Sequence, residues 1–358
     1  MSDESVYESL VRRGLSRRDF LRFCSSVAAI LALPPTFASK IAEGLEKAKK
    51  PTVVWLEFQD CCGDTESTLR AWKPSISEMV LDIISLDYHE TIMAPSGKQA
   101  EKSLSDVVKN QKGKYLAIVE GTIPLKDGGV YCTIAGRTAV DIAKEVCGNA
   151  AASIAVGSCA VWGGIVVPHP NPTGGVGLEE VVPRATIVNL PGCPMNVDNL
   201  TATIVHYLTF GSWPQLDHRK RPLFAHGVRI HDKCERRANF DAGQFVREWG
   251  DEGHRKGWCL YQMGCKGPEA YFNCPSIRWN EHTSWPVKGG HGCIACAADY
   301  NWDKMSPMYG RLPNVPGFGV ETTADKVGVG LAIATGVGIA AHGIGRALAA
   351  KKQEHEEE

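Results

Sequence analysis

The chain carries 13 cysteines in 358 residues, and the spacing of most of them separates three groups. Thiolates bind metals or pair as disulfides. The first group is Cys61, Cys159 and Cys193, in the stretches Gln59-Asp60-Cys61-Cys62-Gly63-Asp64, Gly157-Ser158-Cys159-Ala160 and Pro191-Gly192-Cys193-Pro194. Small residues beside each cysteine let the backbone approach a bulky cluster. The second group is His231 and Cys234, followed by Cys259 and Cys265. One imidazole and three thiolates suit either tetrahedral zinc or a cubane iron–sulfur cluster with one histidine ligand. The third group is Cys274, Cys293 and Cys296. Three thiolates with no obvious fourth ligand suit a three-iron cluster better than structural zinc. A disulfide scaffold is the usual reading of a cysteine-rich exported chain, but such scaffolds are small. This chain is not, and Trp, Gly and Pro crowd its later cysteines, so metal clusters are the better account. The Cys293–Cys296 spacing alone would be weak evidence; the ordered series of six cysteines and a histidine is specific.

The elements that must position these groups differ between the two halves. Apolar runs at residues 52–58, 81–87, 115–120, 153–156 and 185–190 read as buried strands. Helical patterns near 66–73, 100–109, 139–147 and 197–208 lie between them. That alternation predicts a doubly wound α/β domain with a mainly parallel sheet. Cys61, Cys159 and Cys193 each follow a predicted strand, and open parallel sheets gather ligands at the carboxyl ends of their strands. From about residue 211 to 316 the texture changes to short irregular stretches, which predicts a segment wrapped around cofactors. Net charge is −1, so no nucleic-acid partner is expected. His226 and His291 read as structural, Cys132 and Cys147 as core residues, and Glu57 and Glu66 as solvated or supporting side chains near the first group.

The two ends read as addresses. Ser16-Arg17-Arg18-Asp19-Phe20-Leu21 precedes a mild apolar run at 27–33, the pattern of a twin-arginine export signal. Cys24 falls within it, and cleavage is expected between Ala38 and Lys50. The alternative is a basic amphipathic helix opening the mature protein. At the other end, residues 327–350 are apolar and rich in small residues, broken only by His342 and Arg346. Such a stretch is long enough to span a bilayer, with small residues that allow close helix packing. Arg346 could snorkel to the interface, and His342 reads as a helix-packing residue. The alternative is a buried C-terminal helix of the soluble domain.

Taken together, the segments 16–21, 55–67, 157–164, 190–194, 231–245, 259–268 and 273–303 resemble the small subunit of uptake-type nickel–iron hydrogenases. The resemblance covers nearly the whole chain. It implies an α/β architecture with an export-signal region at 1–50, a flavodoxin-like domain at 51–210, an irregular Cys-rich iron–sulfur domain at 211–322, and a C-terminal hydrophobic anchor helix with a polar tail at 323–358. It further implies a proximal 4Fe–4S cluster on the first group, a distal 4Fe–4S cluster on His231, Cys234, Cys259 and Cys265, and a medial 3Fe–4S cluster on Cys274, Cys293 and Cys296. In one place the chain departs from the family: the second cysteine of the usual Cys-x-x-Cys is replaced by Asp64. The fourth proximal ligand is therefore Asp64, which keeps the family spacing, or Cys62 rotated inward. The two extra cysteines of oxygen-tolerant members fall on Gly63 and Gly164, so their six-cysteine cluster is not expected. The resemblance implies no catalytic residue in this chain. Hydrogen would be split at a nickel–iron centre in a partner large subunit, and electrons would leave to cytochrome b or another membrane acceptor on the periplasmic side. A dimer of heterodimers is also consistent with the family. Two other readings stand beside it: a quinone-reductase subunit like that of respiratory complex I, and a zinc-stabilised binding protein.

Overall fold

A computed structural model describes residues 4–311 and 324–356. Five short runs of apolar residues form strands β1 (Thr52–Glu57), β2 (Ser85–His89), β3 (Leu116–Glu120), β4 (Ala152–Val156) and β5 (Ile187–Leu190). They make one parallel sheet in the order β2-β1-β3-β4-β5, the order of flavodoxin-like doubly wound folds. The register sets Glu57 beside Glu120, Glu120 beside Val156 and Val156 beside Leu190. Loops leaving that row therefore emerge side by side along one edge of the sheet.

The longer helices are α1 (Val6–Arg12), α2 (Arg17–Ile30), α3 (Phe37–Lys47), α4 (Gly63–Leu69), α5 (Lys98–Asn110), α6 (Ala139–Asn149), α7 (Gly157–Trp162), α8 (Val197–Phe210) and α9 (Ala324–Glu356). Alternate strand residues face opposite layers, as the two-residue strand period requires. Val54, Leu56, Ala117 and Val119 pack with α5 and α6, while Val53, Trp55, Leu116 and Ile118 pack with α8. The second strand starts four residues later than expected. Ser75 and Glu78 form a reciprocal capping box that opens a helical turn, and Met79–Ile83 continues it as a π-helix.

Helices α1 to α3 are built into this domain. On α2, Phe20, Phe23, Cys24, Val27 and Ala28 lie on one buried face, which joins the core shared by α3, α8 and the sheet. Arg17 and Arg18 stay exposed. Gly44 lets α3 approach α8 closely, since a Cβ there would sit 2.8 Å from the Cα of Thr209. Asp82, fully buried, accepts from the Ser9 hydroxyl at 2.7 Å and faces Arg13 at 3.4 Å.

Between Gly211 and Arg311 regular structure shrinks to single helical turns. A separate core of Ile230, Val246, Leu260, Phe272, Trp285, Val287 and neighbours holds this region together, with Cys274 and Cys293 among its members. The domain boundary expected at residue 322 lies outside the described residues. Helix α9 contains one stretch long and apolar enough to cross a membrane, Gly328–Leu348, and none of it is buried.

Candidate metal centres

The register just described brings the first group together. Cys61 lies four residues past Glu57, Cys159 three past Val156 and Cys193 three past Leu190. Cys62 takes a left-handed conformation (φ +56°) at the entry to α4, so that Cys61 and Asp64 turn one way and Cys62 the other. Asp64 accepts from the Met195 N–H at 2.5 Å. Its carboxylate also presses on Gly157, where a Cβ would lie 1.9 Å from Oδ2. Burial, then the neighbouring Glu120 charge, holds the Asp64 carboxyl well above its ordinary range. Burial raises Cys159 to about 11 and Cys193 to about 12, and each also feels Asp64 and Cys61. The Cys62 sulfur instead faces Asp60 at 3.9 Å, with Glu57 close by. Gly63 and Gly164 leave no room for side chains: a Cβ would fall 3.0 Å from the Cys61 sulfur and 2.4 Å from the Cys159 sulfur.

Glu120 is a site residue that pattern reading missed. It is fully buried and ends β3. Its carboxylate accepts from the Asp64 N–H at 2.9 Å, the Thr65 N–H at 3.0 Å, the Thr65 hydroxyl at 2.6 Å and the Trp55 indole at 3.1 Å. It thereby clamps the first turn of α4 and fixes the direction of Asp64. A carboxylate ending an otherwise apolar strand was the available signal, because Glu is rarely fully buried without partners. Around it burial lifts Asp60 to about 7 and Glu90 to about 8, and raises Glu57. His89, lowered to about 4 by burial, is neutral beside them. Glu66, by contrast, is exposed and paired with Arg70.

In the second group, burial and mutual repulsion raise Cys234 to about 11 and Cys259 to about 12, and raise Cys265. Burial, then the charge of Arg237, lowers His231 to about 4, leaving a neutral imidazole of the kind that ligates metals. The ring of Phe240 packs edge-on to His231 at 4.6 Å, backed by Phe245 and Tyr261. The Arg236 N–H donates to the Cys234 sulfur at 3.4 Å. The third group gathers at a cavity of about 700 Å³ lined by Cys274, Cys293 and Cys296 together with Cys193, Trp72 and His282. Burial raises all three of its thiols. His226 is structural: it stacks on Phe272 and its Nδ1 bonds the Tyr271 carbonyl at 3.1 Å. His291 stacks on Trp249 and donates to the Gly292 carbonyl at 2.7 Å.

The three groups form a line. Cys296 of the third lies against Cys193 of the first, whose backbone is within hydrogen-bonding range of its sulfur. Ser158 braces that junction, accepting from the Gly192 N–H at 3.1 Å and donating to the Cys296 carbonyl. At the other end the Cys293 N–H donates to the Cys265 sulfur at 3.3 Å. None of the 13 cysteines is in a disulfide. Buried thiols with raised pKa are poor donors until a cation draws off their protons, and iron does so. The donor sets therefore fit metal–sulfur centres held in series, and the class they define is an electron-carrying redox subunit.

Comparison with known proteins narrows that class. A family profile for the C-terminal part of the NiFe/NiFeSe hydrogenase small subunit matches residues 226–309. A second, NADH ubiquinone oxidoreductase, 20 Kd subunit, matches residues 61–207. The uptake hydrogenase small subunit of Azotobacter vinelandii is 46 % identical over 95 % of this chain and 94 % of its own length. The quinone-reactive Ni/Fe-hydrogenase small chain of Wolinella succinogenes is 44 % identical over 94 % of this chain and 97 % of its own. Among solved structures, the reduced, active Ni-Fe-Se hydrogenase from Desulfomicrobium baculatum superimposes with a TM-score of 0.69 at 32 % identity. That match covers 74 % of this chain and all of the other. The chain belongs to the small-subunit family of nickel–iron hydrogenases. It is the electron-transfer partner of a hydrogenase large subunit.

Proposed function

We propose that the chain conducts electrons from hydrogen oxidation in the large subunit to a membrane acceptor through three iron–sulfur clusters. Cys61, Asp64, Cys159 and Cys193 would hold a proximal 4Fe–4S cluster. Cys274, Cys293 and Cys296 would hold a medial 3Fe–4S cluster, and His231, Cys234, Cys259 and Cys265 a distal 4Fe–4S cluster. When bound, these groups supply one-electron redox chemistry. The observation that carries the reading is the unbroken contact from Cys193 to Cys296 and from Cys293 to Cys265. Asp64 is the better fourth ligand because Glu120 clamps its backbone and it shares surroundings with Cys159 and Cys193, whereas Cys62 faces Asp60. A carboxylate keeps the charge of a thiolate but is a harder, less covalent donor. His231 is neutral, and so adds no negative charge at the outer end of the line.

The same reading places the heterodimer at the periplasmic face of the membrane. Exposed Arg17 and Arg18 would serve twin-arginine export, and α9 would anchor the subunit. A quinone-linked acceptor such as a cytochrome b suits a chain whose Wolinella relative is named quinone-reactive. Metal analysis and EPR of the purified heterodimer test the relay, with about eleven irons per small subunit expected. Zinc in place of iron would refute it. For the ligand, Asp64→Ala should alter the Mössbauer spectrum of the proximal cluster and Cys62→Ala should not; the reverse pattern would transfer the role to Cys62.

A further inference from the structure

The contact between the second and third groups is built from two reciprocal backbone hydrogen bonds. The Cys293 N–H donates to the Cys265 sulfur at 3.3 Å, and the Lys266 N–H donates to the Cys293 carbonyl at 2.7 Å. Lys266 is 1 % exposed, and its ammonium donates to the carbonyls of Pro307 at 3.0 Å and of Gly310. The Cys265 side of the contact is thus pinned. Gly292 fits directly against it. A Cβ there would lie 3.0 Å from the Cα of Cys265 and 3.2 Å from its Cβ and N. Gly292 does not occupy the left-handed region, so backbone conformation does not call for glycine. Close approach does.

We propose that Gly292 is a positioning residue for electron transfer between these two sites: its missing side chain lets the Cys293 amide reach the Cys265 sulfur. This rests on the three-cluster reading above. An N–H aimed at a ligand sulfur stabilises the added negative charge of the reduced state, and so raises the potential of the site that owns Cys265. The step it serves moves one electron. The site holding Cys293 is oxidised and the site holding Cys265 is reduced; no bond breaks and no proton leaves. In Gly292→Ala the methyl group must push the two backbones apart by a few tenths of an ångström. Lys266 holds Cys265 in place, so the shift falls on Cys293 and the N–H···S bond lengthens.

The test uses the whole heterodimer. An EPR-monitored redox titration reads the potentials, and freeze-quenching after mixing with hydrogen reads the rate at which the His231 site is reduced. Gly292→Ala should lower the potential of that site and slow its reduction several-fold, with hydrogen–deuterium exchange at the large subunit unchanged. Gly289→Ala lies on the same segment, with nothing closer than the Pro286 carbonyl oxygen at 3.4 Å, and should change neither quantity. Identical potentials and rates in Gly292→Ala and wild type would overturn the proposal. A second measurement needs no variant. The amides of Cys234, Cys259 and Cys265 all donate to carbonyls. With isotope-labelled cysteine, pulsed EPR of the reduced His231 site should therefore detect one coupled cysteine amide carrying an exchangeable proton, that of Cys293. No such coupling would also overturn the proposal. A wild type without any iron–sulfur signal would instead fail the three-cluster reading itself.

Discussion

Two apolar segments near the ends of the chain look alike in composition and finish in opposite surroundings. On α2 the apolar side chains recur at Phe20, Phe23, Cys24 and Val27, a single stripe that α3 and α8 cover completely. On α9 they point everywhere, and Val329, Leu331, Ile333, Val337, Ile339, Ile344 and Leu348 are 58 to 70 % exposed. A striped helix is satisfied by one protein face, whereas a helix apolar all round needs a continuous apolar environment such as lipid. The angular distribution of the apolar side chains, more than their number, therefore separates the two. In α2 it also divides labour within one helix. The arginine pair at positions 17 and 18 is exposed to a receptor, while Phe20, two residues on, is 1 % exposed.

The comparison can be broken at its buried side. Phe20→Ala should destabilise the α/β domain by about 3–5 kcal/mol, the usual cost of deleting a buried phenylalanine with incomplete collapse. The apparent melting temperature of the purified protein tests this, and an unchanged value would mean α2 is cargo on the domain instead of core. Gly44→Leu should cost about 1–3 kcal/mol by overpacking α3 against Thr209. It should also speed trimming by an added protease within residues 38–50, because proteases need that segment unpacked from α8. Mass spectrometry of the digest reads the site and the rate. The exposed side predicts the smallest effect. Truncation after Arg311 should change stability by less than about 0.5 kcal/mol, yet abolish co-flotation with vesicles. A large stability loss would show that α9 packs on the soluble domain after all.

Much of the metal machinery was legible in the sequence. Three cysteine groups, their separate chain regions, and the alternation of strands and helices over 51–210 all follow from local spacing, which local chemistry constrains. The start of β2 was not legible, because apolar residues at 79–84 suit a strand or a helical turn equally. The Ser75–Glu78 capping box decided for the turn. Glu120 was passed over because a lone carboxylate shows no partners in one dimension; its donors come from Trp55, Asp64 and Thr65 on other elements. The choice between Asp64 and Cys62 was open for the same reason. A left-handed residue at the mouth of α4 turns the two side chains apart, and spacing carries no such sign.

By itself, the sequence determined which atoms are available to bind metal, which segments are apolar, and the periodicities that make them strands or helices. Those properties depend on neighbours a few positions apart. The tertiary structure alone decided that α1 to α3 close the core, that Cys193 meets Cys296, and that Gly292 lets Cys293 touch Cys265. Each of these joins residues from different elements, and their separation is set by sheet register and packing, which no local pattern encodes.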